Sequence, residues 1–119
     1  MADKSFNVEI RSGNSDATTV IAVSGALVLE NIFQFQTAWR SAAGDVLIID
    51  LSGVPYMDSS AIGSLVNAHV SCLNKGKNLR LAGVPERLKQ ILTVTQVVNL
   101  FRFYPDVSSA EATTVAAAN

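Results

Sequence analysis

The chain has 119 residues, of which 49% are hydrophobic and 16% charged, with nine basic against ten acidic side chains and a net charge of -1. This length accommodates one domain with its own core, and the composition is too apolar for disorder. So balanced a charge provides no general pull toward nucleic acid or anionic lipid. The single cysteine, Cys72, excludes an internal disulfide and a cysteine-built metal site.

The opening residues, Met1 to Phe6, lack the basic-then-apolar layout of a signal peptide. The longest uncharged stretches, Ala17 to Leu29 and Ser59 to Asn74, are interrupted by glycine or polar residues and are too short to span a membrane. No composition shift, linker or repeat divides the chain, so residues 1–119 read as a single cytoplasmic domain.

Phe6, Val8 and Ile10 alternate with polar residues, which predicts a strand with one wet face. Ser12 to Asp16 form a turn cluster. Thr18 to Val23 are β-branched and almost wholly apolar, predicting a second strand in hairpin order with the first and ended by Gly25. Helical period follows, with Ile32, Phe35, Trp39 and Ala42 on one face and Gln34, Gln36 and Arg40 on the other. Glu30 or Asn31 is placed to cap that helix, and Gly44 to end it.

Val46 to Leu51 is an apolar run with one acid, Asp50, the pattern of a central strand covered on both faces. After a loop from Ser52 to Tyr56, the 3.6-residue period resumes in Ile62, Leu65, Val66, His69 and Leu73, and stops at Asn74 to Lys77. Leu79 and Leu81 alternate with Asn78 and Arg80 in a short strand. Pro85 and Glu86 open a third helix carrying Leu88, Ile91 and Leu92. Leu100 to Tyr104 predict a last strand, and Asp106 or Ser108 caps a final alanine-rich helix running to the C-terminus. The predicted class is therefore α/β, in the order β-β-α-β-α-β-α-β-α, with a largely parallel sheet.

Chemistry concentrates at Met57-Asp58-Ser59-Ser60-Ala61-Ile62-Gly63, where an acid and two hydroxyls open the long helix beyond the end of a strand. Serine and aspartate are preferred at helix starts, which explains their presence structurally. A phosphate on Ser59 would add about -1.5 to -2 charges beside the N–H groups of the helix start. On an exposed edge the fold tolerates that charge; inside an interface, uncompensated, it costs several kcal/mol and ejects a partner.

Catalytic readings are disfavoured. The segment is not Gly-x-Ser-x-Gly, and the only histidine, His69, lies ten residues further along the same helix, about 15 Å away at ~1.5 Å per residue. His69 reads as core edge, and Cys72 as a small packing residue. Asp50 and Asp58 form at most a weak paired-acid candidate, and no phosphate-binding glycine loop is present. No enzyme activity, cofactor or metal is expected.

The stretch Leu47 to Gly63, with Asp-Ser-Ser followed by a small apolar turn and Gly63, closely resembles the STAS domain of bacterial anti-sigma factor antagonists. Gly25, the Leu79-Arg80-Leu81-Ala82-Gly83-Val84 strand and Phe101-Arg102-Phe103-Tyr104-Pro105 extend the resemblance over essentially the whole chain. It implies a mixed, mostly parallel five-stranded sheet with an antiparallel first strand and four helices.

The resemblance further implies that Ser59 is phosphorylated. The unphosphorylated domain then binds an anti-sigma factor serine kinase with a histidine-kinase-type ATPase fold, freeing a sigma factor for transcription. Phosphorylation releases the kinase, and a PP2C-type phosphatase resets the domain. Asp58, Ser59, Ser60, Ala61, Ile62 and Gly63, with Asp50 and Val28 nearby, form the implied docking surface. Val28 stands where the family usually carries an acid. That departure keeps open a second reading: a non-switching STAS module of a stress-signalling scaffold or of a lipid-transport ABC system. Ala61, where the family commonly has glycine, favours the helix by up to about 1 kcal/mol.

Overall fold

In a computed structural model, which describes residues 6–112, the hairpin comes first. β1 (Asn7–Ser12) and β2 (Thr18–Ser24) pair antiparallel, from Asn7 opposite Ser24 to Ser12 opposite Thr19. β3 (Val46–Gly53), β4 (Asn78–Ala82) and β5 (Phe103–Tyr104) each add in parallel, giving a sheet in the simple order β1-β2-β3-β4-β5. The helices are α1 (Ile32–Ser41), α2 (Ser59–Asn74), α3 (Glu86–Val94) and α4 (Val107–Ala112). Short 3-10 turns at Leu29–Asn31 and Val98–Leu100 precede α1 and β5. The mixed α/β architecture and element order are those predicted.

The period-2 geometry of the strands sorts their side chains between two faces. Ile21, Val23, Leu47, Ile49, Leu51, Leu79 and Leu81 join Phe35, Trp39, Leu65, Ala68, Leu88 and Leu92 of α1, α2 and α3 in the main core. Val20, Val46, Ile48 and Ala82 face the other way, onto Ala110 of α4. β3 is thus covered on both faces, as its continuous apolar run requires. The α1–α2 contact is pinned by the buried Trp39 indole, which donates to Ser64 Oγ at 3.2 Å. Gly44 closes the turn from α1 into β3 with φ +92°, a conformation costly for other residues, and a side chain there would collide with the Ala17 carbonyl. That carbonyl already accepts the N–H groups of Asp45 and Val46.

Several sequence expectations are corrected. Ile10 shares the inward face of β1 but is 54% exposed, because β1 is an edge strand reached by α1 only along part of its length. On α2 the buried stripe runs through Ala61, Ser64, Leu65, Ala68 and Cys72, leaving Leu73 exposed. Arg80, which alternates with Leu79 and Leu81, is buried under α4: Nη1 donates to the Ala110 carbonyl and Nε to Asn78 Oδ1 at 2.7 Å, with the guanidinium 5.9 Å from the Tyr104 ring centre. The last strand shrinks to Phe103–Tyr104, because Val98–Leu100 coil into a 3-10 turn. Asn31 stands at the N-cap position of α1 but makes no side-chain cap bond to it. Its side chain turns back to accept from Val28 N–H and donate to Ala26 O, both at 2.9 Å. Asp106 does cap α4, accepting from Ser109 N–H at 2.7 Å. The predicted continuation of that helix to the C-terminus lies outside the described residues.

Candidate functional site

The site is built where β2 and β3 deliver the chain to the same end of the sheet. Past β2, Gly25 N–H bonds Gly53 O at 2.9 Å, and Leu27 and Met57 form an isolated parallel bridge with Leu27 N–H on Tyr56 O at 3.0 Å. Both bridge residues are buried, so two loops far apart in sequence are locked side by side. Asp58 follows, in extended backbone, as the N-cap of α2. Its Oδ1 accepts from Ala61 N–H and its Oδ2 from Leu29 N–H, each at 3.0 Å. One carboxylate therefore starts α2 and holds the opposite loop to it. The Ala61 N–H above all, helped by those of Leu29 and Ser60, holds the Asp58 carboxyl below the ordinary aspartate value of 3.8, against partial loss of water.

Ser59 is the first residue of α2 and its side chain is exposed; Ser60 is half-buried. Gly63 lies one turn beyond Ser59, hence on the same helix face, and is also exposed. A Cβ added at Gly63 would meet nothing within 4 Å beyond its own turn of helix. Of the docking surface inferred from sequence, Ala61 is wholly buried and Ile62 nearly so, both packing beneath the first turn. The helix-start donors are also less free than the sequence suggests, because Asp58 already takes Ala61 N–H and its carbonyl takes Ile62 N–H at 3.0 Å.

Val28 is half-buried beside the cap, next to Leu29, whose N–H binds Asp58. Asp50 does not join Asp58. It alternates onto the α4 face of β3 with Val46 and Ile48, and its Oδ1 accepts from Ser52 N–H at 3.0 Å. The paired-acid candidate thus separates onto different parts of the fold. His69 is half-buried, packing edge to face on Phe101 with centroids 5.6 Å apart. Burial raises the Cys72 thiol above its usual pKa, which Lys77 and Lys75 partly oppose. Among the described residues, no group of three or more His, Cys, Asp or Glu could hold a metal ion, and no helix is long and apolar enough to cross a membrane.

Two side chains at this site had no motif to mark them. Leu29, whose N–H binds Asp58 Oδ2, and Tyr56, whose carbonyl accepts from Leu27 N–H, are both largely exposed, at 65% and 49%. Large apolar side chains held in water beside a polar centre suit a contact surface. The available signal was their position: each adjoins the cap in space while falling outside any apolar periodicity.

The fold and site define a small mixed α/β domain that presents one capped helix start, with an exposed serine, at the end of its sheet. The STAS domain model matches residues 5–110, and the chain belongs to that family. An anti-sigma-B factor antagonist of Listeria monocytogenes is 27% identical over 92 residues, covering 76% of this chain and 81% of that protein. The crystal structure of an anti-sigma factor antagonist from Mycobacterium paratuberculosis superposes with a TM-score of 0.79 at 19% identity, over 97% of this chain and 96% of that one. The STAS domain of a SulP transporter from Vibrio cholerae gives 0.70 at 26% identity, over 90% of each chain.

Proposed function

We propose that this protein is an anti-sigma factor antagonist, which docks an anti-sigma factor serine kinase through the start of α2 and is released when Ser59 is phosphorylated. The observation that carries the reading is the exposure of Ser59 in a rigid frame: its neighbour Asp58 is tied at both carboxylate oxygens. With those oxygens committed and Ala61 N–H occupied, a phosphate on Ser59 gains little from the helix end and stands out from the surface. Its charge then acts on whatever is docked there. Gly63 supports the same reading. Glycine in a helix costs up to about 1 kcal/mol relative to alanine, and open space around this one leaves no packing reason for it, whereas a partner's backbone can approach it closely. The role is the one the Listeria relative is named for, and a PP2C-type phosphatase would complete the cycle in the cytoplasm.

The test is incubation with a cognate kinase and ATP, followed by mass spectrometry and a binding assay. Phosphate should appear on Ser59. Ser59→Ala should keep binding and lose release, while Ser59→Asp should weaken binding with the melting temperature little changed. Absence of phosphate on Ser59 with binding intact would favour the second reading, a non-switching STAS module of a scaffold or of a transport system. That reading draws on Val28, which supplies no acid beside the cap, and on the likeness to the SulP transporter domain.

A further inference from the structure

Among the described residues no strand pairs with the outer edge of β1; that edge carries a self-complementary pattern, and we propose that two copies of this chain pair there, antiparallel about a twofold axis, to form one continuous sheet. The backbone fixes which groups are available. Gly13 N–H donates to Thr18 O at 2.8 Å, so Gly13 and Thr18 are a hydrogen-bonded pair continuing the register of Ser12 with Thr19. Ala17 O, one residue earlier, points away to β3, where it accepts from Asp45 and Val46. By the strict alternation of antiparallel ladders, Asn7, Glu9 and Arg11 direct their N–H and C=O groups to β2. Val8, Ile10 and Ser12 direct theirs outward, past the end of the sheet.

Those outward groups permit only registers in which even-numbered residues face even-numbered residues. Of the three central choices, pairing Glu9 with Glu9 or Arg11 with Arg11 sets like charges directly opposite, which is destabilising. The third places Ile10 on Ile10 at the axis, Val8 opposite Ser12, and Glu9 opposite Arg11 twice over. There Glu9 and Arg11 occupy the non-hydrogen-bonded positions, where cross-strand side chains come closest. Both are exposed; Arg11 makes a 4.0 Å contact with Glu111 and donates to the adjacent Ser12 carbonyl at 3.2 Å. On the opposite face, Ile10 is 54% and Phe33 75% exposed, along a groove between β1 and α1 that Phe6 and Val8 also line. Pairing covers this apolar edge with its own copy, and a twofold interface of this kind closes on itself. β2 and β3 separate the edge from the start of α2, so pairing leaves Ser59 accessible.

Sedimentation velocity of the full 119-residue chain over a range of concentrations tests this. The wild type should shift from monomer to dimer and no further. Glu9→Arg and Arg11→Glu should each weaken the dimer about tenfold or more, a change of about 1.4 kcal/mol, with circular dichroism and melting unchanged. An equimolar mixture of the two variants should restore a dimer, because every arginine on the edge of one variant then faces a glutamate of the other across the axis. Should either reversal disturb folding, Ile10→Pro deletes an outward N–H without touching the β2 ladder and should give a monomer. A wild type that stays monomeric to about 1 mM overturns the proposal, as does a dimer indifferent to both reversals or a mixture that fails to re-pair.

Discussion

The two faces of the sheet are built on different terms. Toward α1, α2 and α3, large aliphatic and aromatic side chains from three helices interlock over β2, β3 and β4. Toward α4, a layer of Val20, Val46, Ile48 and Ala82 is covered by Ala110 of α4, described over Val107–Ala112, and closed by a buried arginine bonded to that helix's backbone. One face is held by volume and the other by a polar clasp. Because their energetics differ, neighbouring residues on a single strand should respond differently to the same substitution.

The largest effect is expected from Ile49→Ala on the thick face, about 2–5 kcal/mol by chemical denaturation, since its surroundings are too constrained to collapse into the cavity. Ile48→Ala, equally buried one residue away, should fall at the low end of that range because the α4 layer can settle. Equal losses would mean that the two faces are equally rigid. Arg80→Met should cost about 1.5–3 kcal/mol, the scale of a charge-assisted hydrogen bond. Hydrogen exchange should show the loss of protection concentrated in α4 and spare α1 and α2. Trp39→Phe keeps an aromatic ring but strands Ser64 Oγ inside the thick face, for about 1 kcal/mol.

The smallest effect is a pH dependence at the rim. A carboxyl whose pKa is lower folded than unfolded stabilises fully above the unfolded value and loses that contribution as pH falls through the folded one. The melting temperature of the wild type should therefore decline below the ordinary aspartate value of 3.8, and part of the decline should vanish in Asp58→Asn.

The same contrast explains what the sequence disclosed. Periodicity reports faces that bury bulk, so the strand order, the helices and the thick core were legible from Val46 to Leu51, Phe35, Trp39 and Leu65. A clasped face sends no such signal, because its buried members include an arginine and alanines whose partners lie far along the chain. Nothing in the alternation of Arg80 with Leu79 and Leu81 marks its burial. Leu73 read as buried because its size outweighed the smaller Ala68 and Cys72 that in fact line the α2 seam. At the site, Asp58 and Ser59 were visible through helix-start chemistry, and the exposed hydroxyl lies where that chemistry put it. Leu29 and Tyr56 were not visible, since Leu29 reaches the site only through its N–H on the Asp58 carboxylate and Tyr56 only through its carbonyl on Leu27 N–H. The separation of Asp50 from Asp58 depends on which way a strand's pleat turns, which the neighbouring residue types leave open.

The doubly engaged carboxylate of Asp58 has a consequence for the speed and sharpness of recognition. Because the loop bearing Leu29 and the helix bearing Ser59 are fastened to each other before any encounter, a visiting protein meets a finished plate instead of two wandering segments. Little disorder has to be surrendered on contact. Under the proposed function, such a surface makes few compensating adjustments when Ser59 gains a phosphate, so the added charge would act directly on the docked protein.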